Sequence, residues 1–139
     1  MVTTLVFDFI GVIYLKKESS FFGDYELNEE LLNFLAKAKE KFKLYVLTSS
    51  LLIDRTQVHT QLKQIFTDVI SARKLGLEKY DPKTYRIIAQ DHLHADPKEI
   101  FFTDDHRVNV DAAKKIGIDA RVFRGNKETI SLIRKLNKK

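Results

Sequence analysis

The chain has 139 residues, 24 of them basic and 19 acidic, for a formal charge of +5, and 44% are hydrophobic, ten of them Phe. A chain of this size and make-up buries a core without staples, which excludes global disorder. It has no Cys, which excludes a disulfide framework, a thiolate metal site and cysteine catalysis, and which fits a cytoplasmic protein.

The first ten residues, MVTTLVFDFI, lack the basic start and small-residue cleavage site of a signal peptide. No run of about 18 apolar residues occurs, so no membrane span is expected. Thr4–Phe9 (TLVFDF) is apolar, β-branched and aromatic, and it ends near Gly11. It reads as a strand buried on both faces. From Leu27 the period changes: Leu31, Leu32, Phe34, Leu35, Ala38 and Phe42 recur at helical spacing. Asn28 is the expected N-cap, with Glu29 and Glu30 in the first turn, where the helix dipole favours negative charge. Leu44–Leu47 (LYVL) reads as a second strand, ending in Thr48-Ser49-Ser50. A weaker helical pattern runs over residues 53–65 through Ile53, Val58, Leu62 and Ile65, followed by a short strand at Asp68–Ser71. Asp81-Pro82 opens another helix through Tyr85, Ile88 and Ala89, with Pro near its first position. Glu99–Thr103 is a fourth strand, Val108–Ile116 a helix ended by Gly117, Asp119–Phe123 a fifth strand and Lys127–Leu136 a closing helix. Alternating strands and helices predict a parallel sheet with helices on both faces and right-handed crossovers. No repeat, low-complexity tract or linker interrupts the chain, and residues 1–139 are expected to form one domain.

In such sheets ligands bind beyond the carboxyl ends of the strands. Asp8 ends strand one, Thr48, Ser49 and Ser50 end strand two, Asp104 and Asp105 end strand four, and Lys79 precedes the third major helix. Taken singly, Asp8 reads as a turn residue, Thr48 and Ser49 as N-caps, Asp104-Asp105 as a capping pair and Lys79 as a surface lysine. Together they predict a cluster whose carboxylates repel one another unless a cation joins them. Mg²⁺ takes oxygen ligands, commonly one or two carboxylates with phosphate and waters. Lys79 and the groups at Thr48–Ser50 would hold an anion beside it.

This set resembles the haloacid dehalogenase-like (HAD) hydrolase superfamily over nearly the whole chain. The carriers are Val6–Ile13 for a first motif of strand then D-x-D-x-[TV], and Leu44–Thr48 for the second. Gly76–Pro82 with Tyr85 matches the third, and Ile100–Asp105 the fourth; Asn109–Ala113 and Gly117 continue it. The resemblance implies a three-layer Rossmann-like α/β sandwich, a parallel sheet of about five strands and a minimal cap. It implies Asp8 as covalent nucleophile, and Mg²⁺ held by Asp8, the backbone carbonyl of Ile10, and the acids Asp105 (directly) and Asp104 (in the outer sphere). Thr48 and Lys79 would bind the transferring phosphoryl group.

Two departures stand out. Ile10 replaces the second Asp of the first motif, the general acid and base of family phosphatases. The gaps at Leu15–Glu26 and Ala72–Glu78 are too short for a cap domain, so the site should be open to a phosphorylated substrate as large as a protein or nucleic-acid end. Phe21 and Phe22 read either as a contact for a partner or as a core edge. His106 reads as a substitute base or a solvated loop residue, and His59, His92 and His94 as surface residues. The basic tail, Arg134, Lys135, Lys138 and Lys139, reads as a solvated helix end rather than evidence for nucleic acid. The expected function is a Mg²⁺-dependent phosphatase. The alternatives are a non-catalytic module that binds a phosphorylated partner and, further off, a dehalogenase.

Overall fold

A computed structural model describes residues 1–18, 24–50 and 56–138. Five strands form one parallel sheet: β1 (Thr4–Phe7), β4 (Lys43–Thr48), β5 (Asp68–Ser71), β6 (Ile100–Asp104) and β7 (Asp119–Val122). Their order is β5-β4-β1-β6-β7, and every pairing is parallel. The chain fills one side of β1 first and then crosses to the other, so the order reverses at β1. In a doubly wound sheet such a reversal marks the place, past the carboxyl end of the strand, where a ligand is received.

The strands read as continuous apolar runs because both faces are covered. On one face Leu5 and Phe7 of β1, Leu44 and Val46 of β4 and Phe101 of β6 pack against Leu31 and Leu35 of α1 (Glu29–Ala38), Leu62 of α2 (Thr56–Lys63) and Ile133 of α5 (Asn126–Lys135). On the other, Val6, Tyr45, Leu47 and Phe102 pack against Tyr85 of α3 (Pro82–Ile87) and against Val110, Ala112 and Ala113 of α4 (Arg107–Lys115). Asn28 caps α1 as expected, its side-chain oxygen accepting from the Leu31 amide. Asp81 caps α3 in the same way, with Pro82 in the first turn. Among the described residues no helix is long and apolar enough to cross a membrane.

Three local details differ from the sequence reading. β1 stops at Phe7, so Asp8 and Phe9 already belong to the turn that follows. The segment after it is not a plain loop: β2 (Tyr14–Lys16) and β3 (Tyr25–Leu27) pair antiparallel. The helix through Tyr85 continues past Ile87 as a π-helical turn over Ile88–Leu93, closed by His94 in the left-handed conformation (φ 51°). Ile53, Phe21 and Phe22 lie outside the described residues.

Candidate active site

Asp8 leaves β1 with its amide still in the sheet, donating to the Thr103 carbonyl at 3.0 Å. The backbone then turns: the Phe9 carbonyl accepts from the amides of both Ile13 and Tyr14 at 2.9 Å. Gly11 sits in this turn at φ +90°, where a Cβ would collide with the Asp105 carboxylate and lie 2.6 Å from its Cγ. A glycine is required both by the backbone angle and by the approach of Asp105.

Lys79 reaches the ends of β1 and β6 from the loop before α3 and is 5% exposed. Its Nζ lies 2.7 Å from Asp8 Oδ1 and 2.7 Å from Asp104 Oδ2, and it donates to the Leu47 carbonyl at 3.1 Å. The Phe102 ring lies beneath it, 5.6 Å from Nζ to the ring centroid. Its backbone is tied from below, because Tyr85 donates its hydroxyl to the Lys79 carbonyl at 2.7 Å. Burial, and then the charges of Asp104 and Asp8, push the Tyr85 phenol upward, so it remains a donor.

Asp104 is fully buried. Besides Lys79 it accepts from the His106 amide at 2.9 Å and the Asn109 side chain at 3.1 Å. It thus opens α4 while also holding Lys79, two roles that the sequence reading had set against each other. Burial pushes its carboxyl up, but Lys79 and these hydrogen bonds outweigh burial and hold it below the usual carboxylate range. Asp8 goes the other way. Burial is the largest influence, Lys79 draws it back, and the charges of Asp104 and Asp105 raise it again, leaving it at about 7.

Asp105 is half-exposed at the rim, with His106 Nδ1 3.1 Å from its Oδ1. One ligand atom from each of Asp8, Asp104, Asp105 and His106 lies within 4.8 Å of the others. Three carboxylates face one lysine here, and the donors are mostly hard oxygens. That set fits a divalent cation such as Mg²⁺. Thr48 is buried at the end of β4 and its hydroxyl accepts from the Ser50 amide at 2.9 Å; Ser49 is exposed. Ile10 is half-buried and packs against the apolar cluster under α1 and α5. Asn109 and Phe102 were not singled out for the site from sequence, although Asn109 lies on the first turn of the helix that Asp104 caps. His94 is exposed, whereas His59 and His92 are half-buried in a groove beside Asp68 and Ser71.

The haloacid dehalogenase-like hydrolase model matches residues 7–123. The chain belongs to the haloacid dehalogenase-like hydrolase family. Among curated relatives it is similar to bifunctional epoxide hydrolase 2 of Sus scrofa, 28% identical over 127 residues, with 83% of this chain and 22% of that protein covered. The Rattus norvegicus protein is 29% identical over 119 residues, with 81% and 21% covered. The HAD chain thus spans about a fifth of the length of these relatives. Among solved structures, a predicted HAD-like hydrolase from Porphyromonas gingivalis superposes with a TM-score of 0.80 at 16% identity, covering 100% of both chains. A HAD family enzyme from Bacteroides thetaiotaomicron, solved with magnesium and inorganic phosphate, superposes with a TM-score of 0.75 at 16% identity, covering 88% of this chain and 94% of its own.

Proposed function

We propose that this HAD chain is a Mg²⁺-dependent phosphatase that hydrolyses phosphate esters or anhydrides through an aspartyl-phosphate on Asp8. The observation that carries the reading is the Asp8–Lys79–Asp104 contact, with both carboxylates 2.7 Å from one ammonium and Asp105 beside them. The magnesium and phosphate bound by the Bacteroides fold neighbour support it.

In this reading an Asp8 oxygen attacks phosphorus, the bond from phosphorus to the leaving oxygen breaks, and water later cleaves the acyl phosphate. The covalent step splits one hard displacement into two. Asp8, Asp105 and the Ile10 carbonyl would hold Mg²⁺, with Asp104 in its outer sphere. When bound, the ion offsets the repulsion between Asp8 and an incoming phosphate. Lys79 keeps one Asp8 oxygen fixed, so the attacking carboxylate does not swing away. Thr48, Ser49 and Lys79 would grip the phosphoryl oxygens. Ile10 offers no proton to the leaving group, so good leaving groups such as aryl or acyl phosphates should react first. The segments Leu15–Glu26 and Ala72–Glu78 are too short for a cap domain, which would suit a phosphorylated macromolecule.

Hydrolysis of an aryl phosphate with Mg²⁺ tests this, comparing the wild type with Asp8→Asn. The expected result is Mg²⁺-dependent turnover lost in the variant. Equal rates in the two proteins would sink the reading. The packing of Ile10 into the core favours a second one, a module that binds a phosphorylated partner without turnover. Phosphate binding that needs Mg²⁺, with no hydrolysis by the wild type, would select it.

A further inference from the structure

His106 stands where the site meets solvent, and its side chain is 67% exposed. It is the N-cap residue of α4, yet its side chain makes no capping hydrogen bond. That duty falls to Asp104, which takes the His106 amide. The ordinary structural reason for a polar side chain at this position is therefore absent. The imidazole instead turns inward, Nδ1 lying 3.1 Å from Asp105 Oδ1 and 3.4 Å from Asp104 Oδ1. Asp104 Oδ1 already accepts the His106 amide and its Oδ2 holds Lys79 and Asn109, so Asp105 is the nearer and freer partner of Nδ1.

We propose that His106 supplies an imidazole nitrogen to the cation held by Asp8 and Asp105, making this a mixed nitrogen–oxygen site that discriminates toward Mn²⁺. The inference rests on the cation assigned to Asp8 under the proposed function. One ligand atom from each of Asp8, Asp104, Asp105 and His106 lies within 4.8 Å of the others. An octahedral ion with bonds of about 2.1 Å spans about 4.2 Å between opposite ligands, so small side-chain shifts close the shell. Asp104 is locked by three donors, Lys79, the His106 amide and Asn109, while the Asp105 and His106 side chains stand at the exposed rim and can make those shifts. Mg²⁺ gains little from imidazole, whereas the affinity of nitrogen-bearing sites climbs along the first-row metals.

The test is pulsed electron paramagnetic resonance of Mn²⁺ bound to the full chain, with equilibrium dialysis of Mn²⁺ and Mg²⁺ alongside. The wild type should show ¹⁴N modulation from a directly bound nitrogen, and His106→Ala should lose it. The same substitution should weaken Mn²⁺ about tenfold or more, with a much smaller effect on Mg²⁺. Because the side chain is exposed and the Asp104 contact is to the backbone amide, the variant keeps its core and its α4 cap. Mn²⁺ bound without ¹⁴N modulation, or modulation that survives in His106→Ala, overturns the inference and leaves the Asp8 cation standing. A wild type that binds neither ion overturns both.

Discussion

Ile10 sits two residues after Asp8, where the turn has already carried the backbone away from the sheet. Its side chain rests against the apolar cluster and has no proton to give. General acid–base catalysis is worth about 10²–10⁴-fold, roughly 3–5 kcal/mol of barrier at 1.36 kcal/mol per decade. Ile10→Asp is therefore expected to raise turnover, most of all for poor leaving groups such as alkyl phosphates. Rates measured across leaving groups of graded pKa should flatten in the variant; an unchanged slope would remove the assignment of position 10. The meeting of Asp8, Lys79 and Asp104 was legible in the sequence because a parallel sheet sends its strand ends to one edge. The hydrogen bond from Asn109, the ring of Phe102 beneath Lys79 and the inward turn of His106 were not, since these depend on helix phase and rotamer rather than on strand order.

At the scale of elements, the turn after β1 is held from outside by α1. Asn28 donates its backbone amide to the Ile13 carbonyl at 2.7 Å and its side-chain amide to the Val12 carbonyl at 2.9 Å. It also exchanges paired side-chain hydrogen bonds with Asn126, the first residue of α5, at 2.7 and 2.8 Å. One capping residue thus joins two helix starts to the segment that presents residues 8–11. Asn28→Ala leaves the buried Val12 carbonyl and Asn126 without this partner, a cost of about 1–3 kcal/mol. Urea unfolding should show that loss, and a change below about 0.5 kcal/mol would mean the clamp carries nothing. The cap itself is readable from Asn28-Glu29-Glu30, but its second job is not. The hairpin of β2 and β3 escaped for a related reason: three residues per strand are too few to show a period. Besides its backbone pairing it carries a stack of rings, Phe9 on Tyr14 at 5.0 Å and Tyr14 on Tyr25 at 5.4 Å.

Across the whole molecule the buried carboxylates make stability depend on pH in two opposed ways. Asp8 binds its proton more tightly when folded, at about 7 against an ordinary 3.8. Its contribution is complete below the ordinary value and is lost as pH rises through about 7. Asp104, held low, contributes above the ordinary carboxylate range and loses that contribution as acid protonates it. Metal-free protein should therefore lose melting temperature between roughly pH 4 and pH 7. Asp8→Asn should flatten that limb, and saturating Mg²⁺ should restore the wild type. A melting temperature that is level over this range in the metal-free wild type would contradict the assignment. The order of the sheet was legible as an alternation of strands and helices, but which strand lies at the centre was not, because pairing partners are set by crossovers rather than by local pattern. The central place of β1 also governs when the site can exist. Thr4 pairs with Lys43 on one side and with Ile100 on the other. A ribosome releases the first partner early and the second only after most of the chain is made. Until then one flank of β1 is bare, and Asp8 lacks both the Thr103 carbonyl and the Asp104 carboxylate that stand beside it in the fold. The Asp8 carboxylate acquires its buried setting last, at the moment the second half of the sheet docks.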